Sequence, residues 1–257
     1  MKILVTNDDG VFSPGLAAAA EAAAEVGEVT IVAPTSQKTG SGRSLMGDRN
    51  QKFRTAELKI GGRLFTARHM DCTPALIVKH AFNTILRGER FDLAVSGVNY
   101  GENIGYDITV SGTVGAAMEA AILGVPAIAV SQQTPIDNHL TYGNIDFSCA
   151  KYFLASFIER FRDKGPFRGF DILKLDVPET ADRNTEWVLT RLSRKPYFRT
   201  LFDDGHHASP LSDGRLVVSG GPFEEGTDAF VLTRERKVAV TPLTLDFTAR
   251  NTGNFFD

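Results

Sequence analysis

Little in this chain could serve as covalent or metal cross-bracing. It has two cysteines in 257 residues, Cys72 and Cys149, and they lack CxxC spacing. That argues against a disulfide framework and against a zinc knuckle. Apolar runs long enough to cross a bilayer are missing, and strand-like residues begin at position 2 with no secretory-type leader ahead of them. Cytoplasmic residence without membrane contact is therefore the expectation. Neither sign of charge dominates: 28 basic and 31 acidic side chains give a formal net charge of −3, which excludes broad attraction to nucleic acid or an anionic membrane. The short basic run Arg191–Lys195 reads as a solvated face or a substrate-side loop. Internal repeats and low-complexity linkers are also missing.

What remains is an ordinary globular composition, 42% apolar and 23% charged, with length for one α/β domain plus an appendage. Continuous apolar runs near 2–6, 28–33, 91–95, 126–130 and 170–175 read as parallel strands buried on both faces. Helical segments at 15–26, 73–85, 113–123 and 146–162 fall between them, with Pro14 placed to enter the first and Gly27 to close it. The alternation predicts a doubly wound, mostly parallel sheet. Two regions break the rhythm. Residues 53–68 read as a hairpin around Gly61-Gly62, inserted before the 73–85 helix. From 186 onward, short pieces at Trp187–Leu189, Leu216–Val218 and Val238–Val240 suggest an antiparallel extension used in oligomer contacts. The expected division is thus a catalytic core over 1–185 and a β-rich arm over 186–257.

The chemistry concentrates at strand exits, where open parallel sheets collect ligands. The first strand ends in Asn7, Asp8, Asp9 and Gly10, two adjacent carboxylates whose repulsion is costly in a buried setting unless a cation compensates. The second opens into a polar loop, Thr35 to Ser44, carrying Thr39, Gly40, Ser41 and Gly42. The third is followed by Ser96-Gly97-Val98-Asn99, then Gly101, Asn103 and Gly105. Carboxylate, hydroxyl and amide oxygens suit a hard divalent cation such as Mg²⁺ or Mn²⁺ held partly by substrate phosphate. Ser111-Gly112-Thr113 opens a small-residue helix whose N-terminus receives a phosphate readily; beside the carboxylate pair, that reading outweighs simple capping. His69, His80 and His139 lack any partner pattern and read as structural, as does Cys72 under the helix entry. His206-His207 has no i, i+4 spacing for a metal.

Together these residues resemble the stationary-phase survival protein SurE family, metal-dependent nucleoside monophosphate phosphatases. The likeness rests on Thr6-Asn7-Asp8-Asp9-Gly10 with Pro14-Gly15, Val32-Ala33-Pro34, Ser96 through Asn99 with Gly101, Asn103 and Gly105, and Ser111 through Val114. Thr73-Pro74-Ala75, Val177-Pro178 and Thr241-Pro242-Leu243 add landmarks over nearly the whole chain. The resemblance implies one divalent ion, Mg²⁺ or Mn²⁺, on Asp8, Asp9, Thr39 and Asn99, and a phosphate cradle of Asn103, Ser111, Gly112 and Thr113. It implies hydrolysis of nucleoside 5′-monophosphates, with 3′-monophosphates and short polyphosphate left open. Asp8 or Asp9 would act on the attacking water, without a choice between them. It further implies a Rossmann-like three-layer α/β/α core with a protruding β-hairpin, and a C-terminal arm exchanged in homodimers or homotetramers. This chain departs from the family pattern with Thr39 for serine, Thr35-Ser36 for Asp-Arg, Gly42 for a loop serine and Cys72 for glycine.

Rival readings fit less well. Haloacid-dehalogenase chemistry places its two aspartates two apart rather than adjacent. A nicotinamide oxidoreductase needs GxGxxG in the first β–α turn, where this chain has Asn7-Asp8-Asp9-Gly10. The alternative that remains is a metal-assisted nucleotide-binding or regulatory protein with little turnover.

Overall fold

The computed structural model describes residues 1–139, 141–203, 205–207 and 209–248. Eleven strands are present among them: β1 (Lys2–Thr6), β2 (Glu28–Pro34), β3 (Arg54–Ile60), β4 (Arg63–Met70), β5 (Leu93–Tyr100), β6 (Ala127–Gln132), β7 (Ile172–Val177), β8 (Trp187–Leu189), β9 (Phe198–Leu201), β10 (Arg215–Val218) and β11 (Val238–Leu243). The principal helices are α1 (Pro14–Val26), α2 (Pro74–Asn83), α3 (Gly112–Ile122) and α4 (Ser148–Lys164). Nine strands form one sheet in the order β3-β4-β2-β1-β5-β6-β7-β11-β8. Only the β3–β4 and β7–β11 pairings are antiparallel.

Alternation along the central strands builds two cores. Ile3 and Val5 face one side with Leu16, Ala20, Leu154 and Phe157 from α1 and α4. Leu4 faces the other with Ile77, Ala81, Val114 and Ala117 from α2 and α3. Strands buried on both faces need apolar residues at odd and even positions alike, which is why β1 reads as an unbroken run. The three-layer α/β/α arrangement expected from the sequence is thus present.

Three expectations change. The hairpin around Gly61-Gly62 is present as β3 and β4, but β4 pairs in parallel with β2, so the two extend one edge of the main sheet rather than protrude from it. The ribbon that stands apart from the main sheet is β9–β10, an antiparallel pair. The segment after 186 is divided: β11 pairs with β7 and β8 with β11 inside the core sheet, whereas β9–β10 stays outside it. Its last residues, 249–257, lie outside the described residues. Finally, β5 does not stop at 95. It continues through Ser96-Gly97-Val98-Asn99 to Tyr100, with its register against β6 shifting between Ser96 and Asn99. Gly97 has φ +134°, and a Cβ there would lie 2.2 Å from the Val130 carbonyl oxygen, so only glycine fits this irregular passage.

Leu154 is fully buried in the α4 layer, away from the strand exits. Leu154→Ala is expected to cost about 3 kcal/mol in urea unfolding while leaving ligand binding by the folded protein unchanged.

Candidate active site

Asn7 builds the turn after β1. It is fully buried, its Nδ2 donates to the Gly10 carbonyl (3.0 Å), and its Oδ1 accepts from the Gly10 N–H (3.2 Å). This reciprocal pair fixes the two residues between them, Asp8 and Asp9. The Asp8 carbonyl accepts from the Lys38 N–H (2.7 Å) and the Pro34 carbonyl from the Val11 N–H (2.8 Å), which seats the 35–44 loop against the turn.

Both carboxylates are out of solvent, Asp8 at 3% and Asp9 at 0% exposure. Asp8 Oδ1 accepts from the Thr113 hydroxyl. Asp9 Oδ1 accepts from Gln37 Nε2 (3.0 Å), its Oδ2 accepts from the Tyr100 N–H (3.3 Å), and its carbonyl accepts from the Tyr142 hydroxyl. Burial pushes the Asp8 carboxyl up to about 6 against the pull of the Thr113 hydroxyl and nearby backbone N–H groups. Burial, followed by the Asp8 charge, pushes Asp9 well above the usual carboxylate range. No lysine, arginine or histidine pairs with either among the described residues. Hydrogen bonds alone therefore leave two adjacent buried carboxylates undercompensated, a setting that favours a proton or a cation beside them.

The donor set fits such an ion. A cavity of about 230 Å³ is lined by Asp8, Thr39, Asn99, Asn103 and Ser111 on its polar side. Asn99 commits its Nδ2 to the Gly101 carbonyl (2.7 Å), leaving its amide oxygen as the free end. Among the described residues no group of three or more His, Cys, Asp and Glu could hold a metal. The carboxylate, hydroxyl and amide oxygens gathered here are of the kind that hard divalent ions take as ligands.

The expected phosphate cradle divides. Asn103 and Ser111 line the cavity; Gly112 and Thr113 do not. Ser111 caps α3, accepting from the Val114 N–H (3.1 Å), so capping and cavity lining coexist in one residue. Gly112 lies behind Asp8, where a Cβ would sit 2.7 Å from the Asp8 carboxylate. The Thr113 hydroxyl serves Asp8 directly. The positive end of α3 thus faces the carboxylate as well as the cavity, favouring the charged form there.

Several wall residues carry no local motif. His139, expected to be structural, lines the cavity together with Val110, Phe198 and Leu216. Its ring packs edge-on against Phe198 at 5.8 Å between centroids, and its carbonyl accepts from Gln37 Nε2 (2.7 Å). Phe198 and Leu216 come from the β9–β10 ribbon, over 180 residues after Asp8 in the chain. His69 and His80 keep structural partners: His69 contacts the Thr35 hydroxyl at 3.0 Å, and His80 stacks on Phe53.

Comparison with known proteins gives the family. Residues 3–199 match the family model described as survival protein SurE. The chain is 42% identical over 254 residues to proteins named 5′-nucleotidase SurE from Thermococcus gammatolerans and Thermococcus kodakarensis. These alignments cover 97% of this chain and 92% and 95% of the relatives. The crystal structure of the SurE protein from Aquifex aeolicus is similar with a TM-score of 0.73 and 31% identity, over 96% of this chain and 95% of that one.

The raised Asp8 value has a thermodynamic consequence. Because the folded form binds this proton more tightly than an ordinary carboxylate (3.8), the folded state holds the extra proton between about pH 4 and 6. The contribution of Asp8 to stability therefore falls as pH rises through that window. In metal-free protein at pH 7, Asp8→Asn is expected to be more stable than wild type by about 3 kcal/mol, with the gap closing toward pH 4. Thermal melts in chelator check this; parallel pH profiles for the two proteins would contradict it.

Proposed function

The chain belongs to the SurE family, and on that premise we propose that it is a metal-dependent phosphomonoesterase that hydrolyses nucleoside 5′-monophosphates to nucleoside and phosphate. The observation that carries this reading is a pair of buried, adjacent carboxylates, of which Asp8 lies on the wall of a cavity that also presents Asn103 and the capped start of α3 and Asp9 lies directly behind it. Relatives 42% identical over nearly their whole length carry the name 5′-nucleotidase. In this reading Asp8, Asp9, Thr39 and Asn99 hold one divalent ion. When bound, that ion supplies charge neutralisation for the phosphoryl oxygens.

The chain's own groups do the rest. Asn103 donates to a phosphate oxygen through the amide hydrogen that Ser131 does not take, and Ser111 meets a second oxygen at the mouth of α3. Asp9 is locked by Gln37 and the Tyr100 N–H, and it does not line the cavity. Asp8 does, and its Oδ2 is free of the Thr113 hydroxyl. Asp8 is therefore the carboxylate that takes the proton of the attacking water. The apolar wall of Val110, Phe198 and Leu216, with the His139 ring, receives the nucleoside and excludes water from its side of the cavity. The site lies in a chain whose described residues include no helix long and apolar enough to cross a membrane. Work in the cytoplasm, and assembly as a homodimer or homotetramer through the C-terminal arm, belong to the same proposal.

A panel of nucleoside monophosphates assayed for phosphate release with Mg²⁺, Mn²⁺ or chelator tests this reading. Release should need metal and fall by roughly 10²-fold or more in Asp8→Asn and in Asp9→Asn. Near-normal turnover in both variants would remove the metal-site assignment. Tight nucleotide binding with no metal-dependent release at any pH would favour a binding protein instead. Thr39→Ser keeps the hydroxyl and should stay within about threefold of wild type, whereas Thr39→Ala should lose metal affinity.

A further inference from the structure

Beneath the cavity lies a cluster of charge that the chemistry above does not use. Lys174 and Asp176 project from β7, and Asp228 from the helical turn Asp228–Phe230. All three are at 0% exposure. Lys174 Nζ pairs with Asp176 Oδ2 and lies 3.2 Å from Asp228 Oδ2. One cation and two anions removed from water cost several kcal/mol, and apolar residues of similar volume at such positions are often at least as stabilising. Packing alone therefore gives no reason for the cluster.

Its hydrogen bonds do. Asp176 Oδ1 accepts from the Asn103 N–H (2.8 Å), and Asp228 Oδ2 accepts from the Gly105 N–H (2.9 Å). Asp228 Oδ1 accepts from the Ser193 N–H (2.8 Å) and from the Ala229 N–H (2.9 Å). The Asn103 side chain is held separately, its Nδ2 donating to Ser131 Oγ (2.7 Å). Two alternate main-chain N–H groups of the turn leaving β5 are thus gripped by two carboxylates that share one ammonium. An apolar trio could fill this volume but could accept neither bond, and the turn would carry two unsatisfied buried donors.

We propose that Lys174, Asp176 and Asp228 are positioning residues that hold the 103–105 turn, and with it Asn103, in phosphate-binding geometry before any ligand arrives. This inference rests on the reading of Asn103 as a phosphate ligand. Lys174 sets the spacing of the two carboxylates, and each carboxylate fixes one amide of the turn. Through the Asp228 bond to Ser193 the same device ties the C-terminal segment to the phosphate end of the cavity.

The test is isothermal titration of metal-loaded protein with inorganic phosphate, together with Mn²⁺ titration of metal-free protein. Asp176→Ala removes the acceptor of the Asn103 N–H, and its phosphate Kd should rise about tenfold. Asp176→Asn keeps an oxygen acceptor and should restore phosphate Kd to within about threefold of wild type. Mn²⁺ affinity should be unchanged in both, because no metal-holding group is touched. A merely structural role would lower the melting temperature of Asp176→Ala while leaving phosphate Kd at the wild-type value, and that result overturns the inference alone. Wild-type protein that binds no phosphate would overturn the underlying reading of the cradle as well. Hydrogen exchange of the wild-type protein decides the matter even if Asp176→Ala does not fold. The amides of Asn103 and Gly105 should exchange as slowly as those of β5 and β6 without phosphate. Fast exchange that slows only when phosphate is added would mean that ligand, not the cluster, orders the turn.

Discussion

Two carboxylates on consecutive residues, both withdrawn from water, set the condition to which the surrounding segments respond. Carboxylates so placed raise each other's proton affinity, and the fold answers with whatever donors it can aim at them. The Thr113 hydroxyl reaches Asp8 from α3; Gln37 and the Tyr100 N–H reach Asp9 from the 35–44 loop and from β5. These donors share the load without neutralising it. In the proposed function the residual negative potential is the useful product, since it would draw a hard cation into a cavity that must also accept a phosphate dianion. Asn7 makes the arrangement possible by closing its turn with its own side chain, so that neither aspartate is spent on local structure.

The sheet supplies the geometry that this electrostatic demand requires. Strands buried on both faces place their carboxyl ends in a row, and three neighbouring exits can then deliver oxygen ligands to one point. The irregular passage of β5 refines that placement. A regular strand would continue the pleat past Ser96, whereas the register shift lets Asn99 and the following turn open onto the cavity. Behind that turn, the Lys174 cluster gives the peptide groups fixed partners where the ladder can no longer do so.

Legibility in the sequence followed the range of the interactions. The central strands and four helices were readable because apolar continuity and 3.6-residue periodicity are local. Asp8 and Asp9 stood out because paired acids at a strand exit conflict with burial. The edge position of β3–β4 was not readable, since the parallel pairing of β4 with β2 is a contact between segments that alternation alone does not specify. The extension of β5 was hidden because Ser-Gly-Val-Asn resembles a turn, and only the approach of the Val130 carbonyl explains the glycine. Lys174 and Asp176 escaped notice for a different reason. They alternate with Leu173, Leu175 and Val177 in a segment that reads simply as one more buried strand, and their partner Asp228 comes from 52 residues further on. His139, Phe198 and Leu216 likewise acquire a role only through tertiary placement.

The β9–β10 ribbon contributes Phe198 and Leu216 to the cavity while sharing no strand pairing with the nine-stranded sheet. In the proposed function, reactivity and preference are thereby carried by parts of the chain that can change at different rates. A substitution in β1 or β5 disturbs the ladder and the carboxylates together, but one on the inward face of the ribbon alters only the shape offered to the ligand. Descendants of this fold could inherit the reaction intact and diversify what they act on by rewriting a few residues of a single two-stranded appendage.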